Sequence, residues 1–229
     1  MIVCPSGSNS EGVLSMPVRP TVPLGRRLYL GAEFLTLHGG GPLLILFVRR
    51  AGLLFGLLWI AALLAFLSLR HQKSEVQDFS GEVRRISLRF AVLAPLIILL
   101  TWWVWPDVFL SLPKQRPLFW LLVMVLYPIL SVWPQEVLYR AFLFSRYDSL
   151  FRLAPVTIGA SAVAFGFAHI LFLNWIAVGM TLVGGALFAS DYSRHRSLTL
   201  TCFEHSLYGC LIFTVGLGRF FYTGAAWHS

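Results

Sequence analysis

A chain of 229 residues that is 57% hydrophobic and only 12% charged has more apolar surface than a soluble domain of that length can hide. Soluble chains run near ~45–50% apolar and ~25% charged, so the excess faces lipid. The net charge of +8 does not point to nucleic acid, because the Lys and Arg residues fall in short clusters between apolar runs, as membrane-flanking charges do.

In chain order, residues 1–27 read as a polar tail closing on Arg26 and Arg27. Residues 1–25 contain proline and lack the apolar core of a cleavable signal, so the first span is expected to act as the insertion signal. Residues 28–48 are apolar but interrupted by Gly39, Gly40, Gly41 and Pro42, which leaves a broken span or an interfacial helix. Arg49 and Arg50 separate it from a clear span at 51–69. A polar loop is expected from Arg70 to Arg89, then spans at about 90–106 and 118–133. Residues 135–147 read as a separate semi-polar helix after Pro134. Further spans fall at 155–173, 175–190 and 198–217, with a basic turn at Asp191–Arg196. A spanning helix needs ~17–25 residues, so the count is seven, or eight if 135–147 enters the bilayer. The fold class is an all-α polytopic transmembrane bundle, with residues 28–229 as one membrane domain and no internal repeat. If the N-terminus is cytoplasmic, only Arg49, Arg50, Lys114, Arg116 and Arg219 of the 18 Lys and Arg residues lie outside, which favours that orientation. Trp102, Trp103, Trp105, Trp120 and Trp133 are expected near span ends, where aromatic belts form. The cysteines (Cys4, Cys202, Cys210) make neither a disulfide framework nor a CxxC metal spacing.

A charged group at membrane depth costs at least ~2.5–3.5 kcal/mol, so the ionisable residues inside apolar runs need a reason. Glu136 and Arg140 are four apart and share a helix face. They form either a plain interfacial ion pair or a carboxylate presented to a substrate beside Gln135. His169 lies in the 155–173 span, after Gly159, Ala160, Ala162, Gly166 and Ala168, small residues that let another helix approach. Glu204 and His205 share the last span with no basic residue near in sequence. Three helices carrying such groups are expected to converge on one hydrated polar cavity.

These residues resemble the CPBP superfamily, intramembrane proteases related to the Ras-converting CAAX endopeptidase. The EExxxR motif appears as Gln135-Glu136-x-x-x-Arg140, FxxxH as Phe165-x-x-x-His169, and HxxxN as His205-x-x-x-Gly209. The resemblance covers about residues 118–217. It is nearest to a bacterial branch whose first motif opens on Gln-Glu and whose last is of EHxxYG type, here Glu204-His205-Ser206-Leu207-Tyr208-Gly209; some members of that branch process proteins with C-terminal transmembrane sorting tails. The resemblance implies a multi-pass protein of the bacterial inner membrane that hydrolyses a membrane-anchored protein substrate. Two positions depart from the pattern. The family's usual base is Gln135, an amide that cannot take a proton, and its oxyanion-binding Asn is Gly209.

Glu136 or Glu204 is then the expected base. Arg140 favours the charged form of Glu136, so an unpaired Glu204 is expected to be the stronger base. His169 and His205 are expected to orient water and donate to the oxyanion, Gln135 to add an amide donor, and Tyr139, Tyr208 and Asn174 to stand behind them. Two His and two Glu also leave zinc open, although no HExxH is present and a metal-free glutamate-type mechanism is the expectation. A non-proteolytic scaffold or immunity-type protein of the same fold is the chief alternative, favoured by Gln135 and Gly209. A small transporter with a Glu/His proton relay is another.

Overall fold

A computed structural model describes residues 22–69 and 80–222. Most of the expected polar tail, with Cys4, and Arg70 and Lys73 of the expected loop lie outside the described residues. Among the described residues the fold is all helical. Seven helices are long and apolar enough to cross a membrane: spans 1 to 7 at Leu24–Val48, Gly52–Leu69, Ser80–Val104, Pro117–Arg146, Ala154–Phe172, Trp175–His195 and Leu198–Val215. The chain is a multi-pass membrane protein.

Several boundaries differ from the sequence expectation, each for a local reason. Span 1 starts at Leu24, so Arg26 and Arg27 sit in its first turn, and it runs unbroken through Gly39–Pro42 by way of a wide π turn at Thr36–Gly40. Residues 80–89, expected as loop, are the first turns of span 3. Glu82, Arg85 and Arg89 recur at helical spacing, a polar stripe that needs a partner rather than a loop. The turn expected from Asp191 is the end of span 6, which continues to His195 and stops at Arg196 in the left-handed conformation. Residues 135–147 form no separate helix. They continue span 4 through Pro128 and Pro134 in two π-helical stretches, Pro128–Val132 and Val137–Phe142. Trp133 therefore lies mid-span.

Pro134 has no N–H to give to the carbonyl of Leu130. The indole Nε1 of Trp59 on span 2 donates to that oxygen at 3.0 Å, and Trp59 stacks on Trp133 at 5.5 Å. A neighbouring helix thus satisfies the carbonyl that proline frees, as lipid demands. Span 5 does the same for the second π stretch, where Ser161 Oγ donates to Tyr139 O at 2.7 Å. Bent helices with π turns recur at functional sites, and this one carries the first motif.

Spans 5 and 6 pack closely at two glycines. A Cβ on Gly166 would lie 3.2 Å from Leu182 Cβ, and one on Gly185 would lie 3.2 Å from Ala162 Cα. Gly166 and Ala162 are thus the small residues that seat span 6, whereas Gly159 faces open space. At the end of the bundle where spans 1, 3, 5 and 7 begin, Arg146 makes a two-pronged pair with Glu33 at 2.8 and 2.7 Å and fastens span 4 to span 1. Leu30, Tyr139, Leu143, Phe144, Tyr147 and Phe165 form the main apolar core behind that pair.

Candidate active site

Span 4 brings Glu136 and Arg140 to the bundle centre on one helix face, with neither side chain exposed. The carboxylate is shared. Its Oε1 accepts from His205 Nδ1 on span 7 at 2.7 Å, and its Oε2 lies 3.2 Å from Arg140 Nε. That contact is an ion pair without hydrogen-bond alignment, which leaves Oε2 with no hydrogen-bond partner among the described residues. The Arg140 guanidinium sits over the rings of Phe165 (4.4 Å) and Phe188 (5.6 Å), an arrangement that suits a desolvated planar cation. Its Nη2 is 3.5 Å from Gly185 O, and its Nη1 has no hydrogen-bond partner among the described residues.

His205 is tied at both nitrogens. Because the Glu136 carboxylate only accepts, Nδ1 carries a proton; Nε2 is 3.0 Å from the Tyr127 hydroxyl. His169 reaches the same centre through a ring. Phe165, four residues earlier on span 5, lies 4.6 Å from the His169 ring and 5.6 Å from that of His205. His169 Nδ1 is 2.7 Å from the carbonyl of Phe165. A carbonyl only accepts, so Nδ1 carries the proton and the neutral ring offers a lone pair at Nε2. The expectation that His169 donates to an oxyanion is corrected to that extent: a neutral His169 is an acceptor there.

Glu204 is not the unpaired carboxylate expected. Arg89, from the stretch read as loop, pairs with both Glu204 and Asp191, and Arg85 holds the other oxygen of Asp191 at 2.7 Å. Glu204 is therefore no freer a base than Glu136. Two further expectations change. Gln135 turns along its own helix, its amide donating to Ser131 Oγ at 2.9 Å. Asn174 caps span 6, its Oδ1 accepting from the amides of Ile176 (2.9 Å) and Ala177 (3.3 Å), the usual use of Asn at a helix start. Tyr208 is buried against Phe90 at 5.2 Å, on the Arg89 side of span 7, and Tyr139 packs on Phe165 at 5.4 Å.

Tyr127 was missed in sequence. The signal was present in Gly209. A Cβ there would stand 2.3 Å from Tyr127 Cε1 and 2.4 Å from its hydroxyl, so only glycine admits the ring beside His205. The position where the motif expects Asn is thus emptied to seat a hydroxyl from span 4.

Zinc fits this centre poorly. Among the described residues no three His, Cys, Asp or Glu side chains form a metal-holding group. Both nitrogens of His205 are engaged, and the Arg140 cation lies 3.2 Å from the second oxygen of Glu136.

Neither a curated protein nor a solved structure matches the chain. Residues 117–211 match the family model described as Rce1-like, type II CAAX prenyl endopeptidase Rce1-like. That stretch holds Tyr127, Glu136, Arg140, Phe165, His169 and His205, so the part of the chain that builds the polar centre is the part that is similar to the Rce1-like CAAX prenyl endopeptidases.

Proposed function

We propose that this chain is a glutamate-type intramembrane endopeptidase that hydrolyses a peptide bond of a membrane-anchored protein, with Glu136 as the base. The observation that carries the reading is the 2.7 Å bond between His205 Nδ1 and Glu136 Oε1. Groups 69 positions apart meet on a carboxylate whose second oxygen makes no hydrogen bond among the described residues.

Glu136 Oε2 takes a proton from water as the water oxygen attacks the scissile carbonyl carbon. Negative charge then develops on the carbonyl oxygen. Arg140 Nη1–H, a buried donor without a hydrogen-bond partner among the described residues, receives it, while the Tyr127 hydroxyl donates to His205 Nε2 and holds that ring in place. Donors of this kind contribute ~3–4 kcal/mol each. Collapse of the intermediate breaks the C–N bond, and Glu136 returns its proton to the leaving amine, giving a carboxylate and an amine. His205 keeps the carboxylate oriented, and the His169 Nε2 lone pair holds the water or relays its proton. Glu136 and Arg140 have no exposed surface, so entry of a peptide requires the spans to part.

The mechanism uses no metal, in keeping with the guanidinium beside Glu136. Gly209, which favoured a scaffold in sequence, has a positive use here as the seat of Tyr127. The cation distribution supports a cytoplasmic N-terminus in a bacterial inner membrane, and the EHxxYG-type last motif supports substrates with C-terminal transmembrane tails. The test is incubation of the vesicle-reconstituted protein with peptides bearing such tails, followed by mass spectrometry of the products. Wild type should cleave, and Glu136→Gln should lose on the order of 10³-fold in rate, within the range for a general base. Cleavage undiminished in Glu136→Gln would overturn the assignment.

A further inference from the structure

A second polar system runs beside the proposed active site and is not absorbed by it. On span 3, Glu82, Arg85 and Arg89 share one face. They meet Asp191 of span 6 and Glu204 of span 7, and Arg194 reaches Glu82 at 3.5 Å. Side-chain exposure falls along this ladder, from 57% at Arg194 and 31% at Arg85 to 24% at Arg89, 2% at Asp191 and 0% at Glu204. It thus leads from the bundle end into the core.

At its inner end three buried polar atoms have no protein partner among the described residues: Arg89 Nε, Glu204 Oε2 and the Tyr208 hydroxyl. They are local to one another. Glu204 and Tyr208 are one turn apart on span 7, Arg89 is paired to Glu204, and Tyr208 packs on Phe90, the next residue along span 3. Buried polar groups of this kind are normally satisfied by water when protein does not satisfy them. The chemistry selects water over an anion. Arg89 Nε and the Tyr208 hydroxyl can donate and Glu204 Oε2 accepts, a mixed set that suits water, whereas an anion would face the Glu204 carboxylate. The Phe188 ring packs against residues of both this point and the active site. Phe188 lies 4.8 Å from His205, 6.1 Å from Tyr208 and 5.6 Å from the Arg140 guanidinium.

We propose that Arg89, Glu204 and Tyr208 form a water-holding site at the inner end of this ladder, and that it supplies hydrolytic water to Glu136 past the Phe188 ring. The proposal rests on the reading of Glu136 as the base. It gives the carboxylate in the EHxxYG-type motif a role other than catalysis: Glu204 holds the water that Glu136 uses.

Two measurements on the full chain in vesicles test it. With the native cysteines replaced by Ala, a single cysteine is placed by Tyr208→Cys or, as a lipid-facing control on the same helix, by Phe203→Cys. Each is treated with the water-soluble, impermeant thiol reagent 2-sulfonatoethyl methanethiosulfonate from the side of the Arg85 end. Tyr208→Cys should label at least tenfold faster than Phe203→Cys; equal rates overturn the water site whatever the activity. In the second, Tyr208→Phe, which removes one hydroxyl, should lower kcat about tenfold while KM and the melting temperature stay put. Full kcat in Tyr208→Phe overturns delivery. A wild type that cleaves nothing while Tyr208→Cys labels fast sinks the protease reading and leaves the water site standing.

Discussion

Two glutamates, Glu136 and Glu204, stand at zero exposure in the same bundle, each facing an arginine, and they differ in what else holds them. Glu136 meets Arg140 from its own helix, one turn away, and gains His205 from a second. Glu204 meets an arginine 115 positions away, which is itself shared with Asp191. In the first case one carboxylate gathers a histidine and an arginine of its own, one at each oxygen. In the second, one cation divides itself between two carboxylates and the network runs out to the bundle end. A group meant to accept a proton needs the first arrangement. The second ties spans 3, 6 and 7 together and brings polarity inward.

The sharpest way to break this comparison is to remove one cation at a time. Arg140→Gln leaves Glu136 fully buried with His205 as its remaining partner. Breaking a buried pair from one side costs about 3–5 kcal/mol, and thermal unfolding in detergent should show it. The double variant Glu136→Gln with Arg140→Gln should recover most of that loss and remain inactive, because the charge problem is gone and so is the base. Arg89→Gln should cost less, about 2 kcal/mol, since Arg85 still holds Asp191 and Arg89 is partly exposed, where screening weakens pairs. A larger loss in Arg89→Gln than in Arg140→Gln would reverse the assignment of which pair is the more tightly held.

A finer test concerns His205, which the two systems flank. Gly209→Ala would push the Tyr127 ring away, since the added Cβ falls 2.3 Å from it. Overpacking of this kind costs about 1–3 kcal/mol, and cleavage should drop by roughly ten- to a hundredfold as His205 loses the hydroxyl that holds its ring. Tyr127→Phe keeps the ring and removes the hydroxyl. Its rate loss should be roughly tenfold, the worth of about one hydrogen bond. Normal cleavage in both variants would remove Tyr127 from the mechanism.

What could be read from the sequence follows the range of each interaction. Glu136 and Arg140 were legible as a pair because four residues on a helix fix their distance, and the spans were legible because apolar length fixes them. Arg89 was not. It sits in a stretch polar enough to read as loop, and its partners lie on helices whose docking no local pattern encodes. Tyr127 was hidden for a related reason: no local pattern singles out one aromatic inside an apolar span, and its meaning depends on the space that Gly209 leaves. Span 4 was cut in two because Pro134 is a sound local stop signal, overruled when Trp59 supplied the donor that the proline lacks.

Asn174 supplies the smallest and most selective test. It stands before an apolar run, where Asn, Asp, Ser and Thr cap helices, and the structure gives its side-chain oxygen to two backbone amides of span 6. Asn174→Ala should therefore cost about 1 kcal/mol in thermal stability, and Asn174→Asp, which keeps the accepting oxygen, should restore it. Neither should change kcat/KM, because a cap acts on span 6 as a whole and span 6 is already locked to span 5 at Gly166 and Gly185. A fall in kcat/KM with unchanged melting temperature would instead return Asn174 to the substrate side. Recovery in the Asp variant would then have to be read as contact with the peptide rather than with the helix.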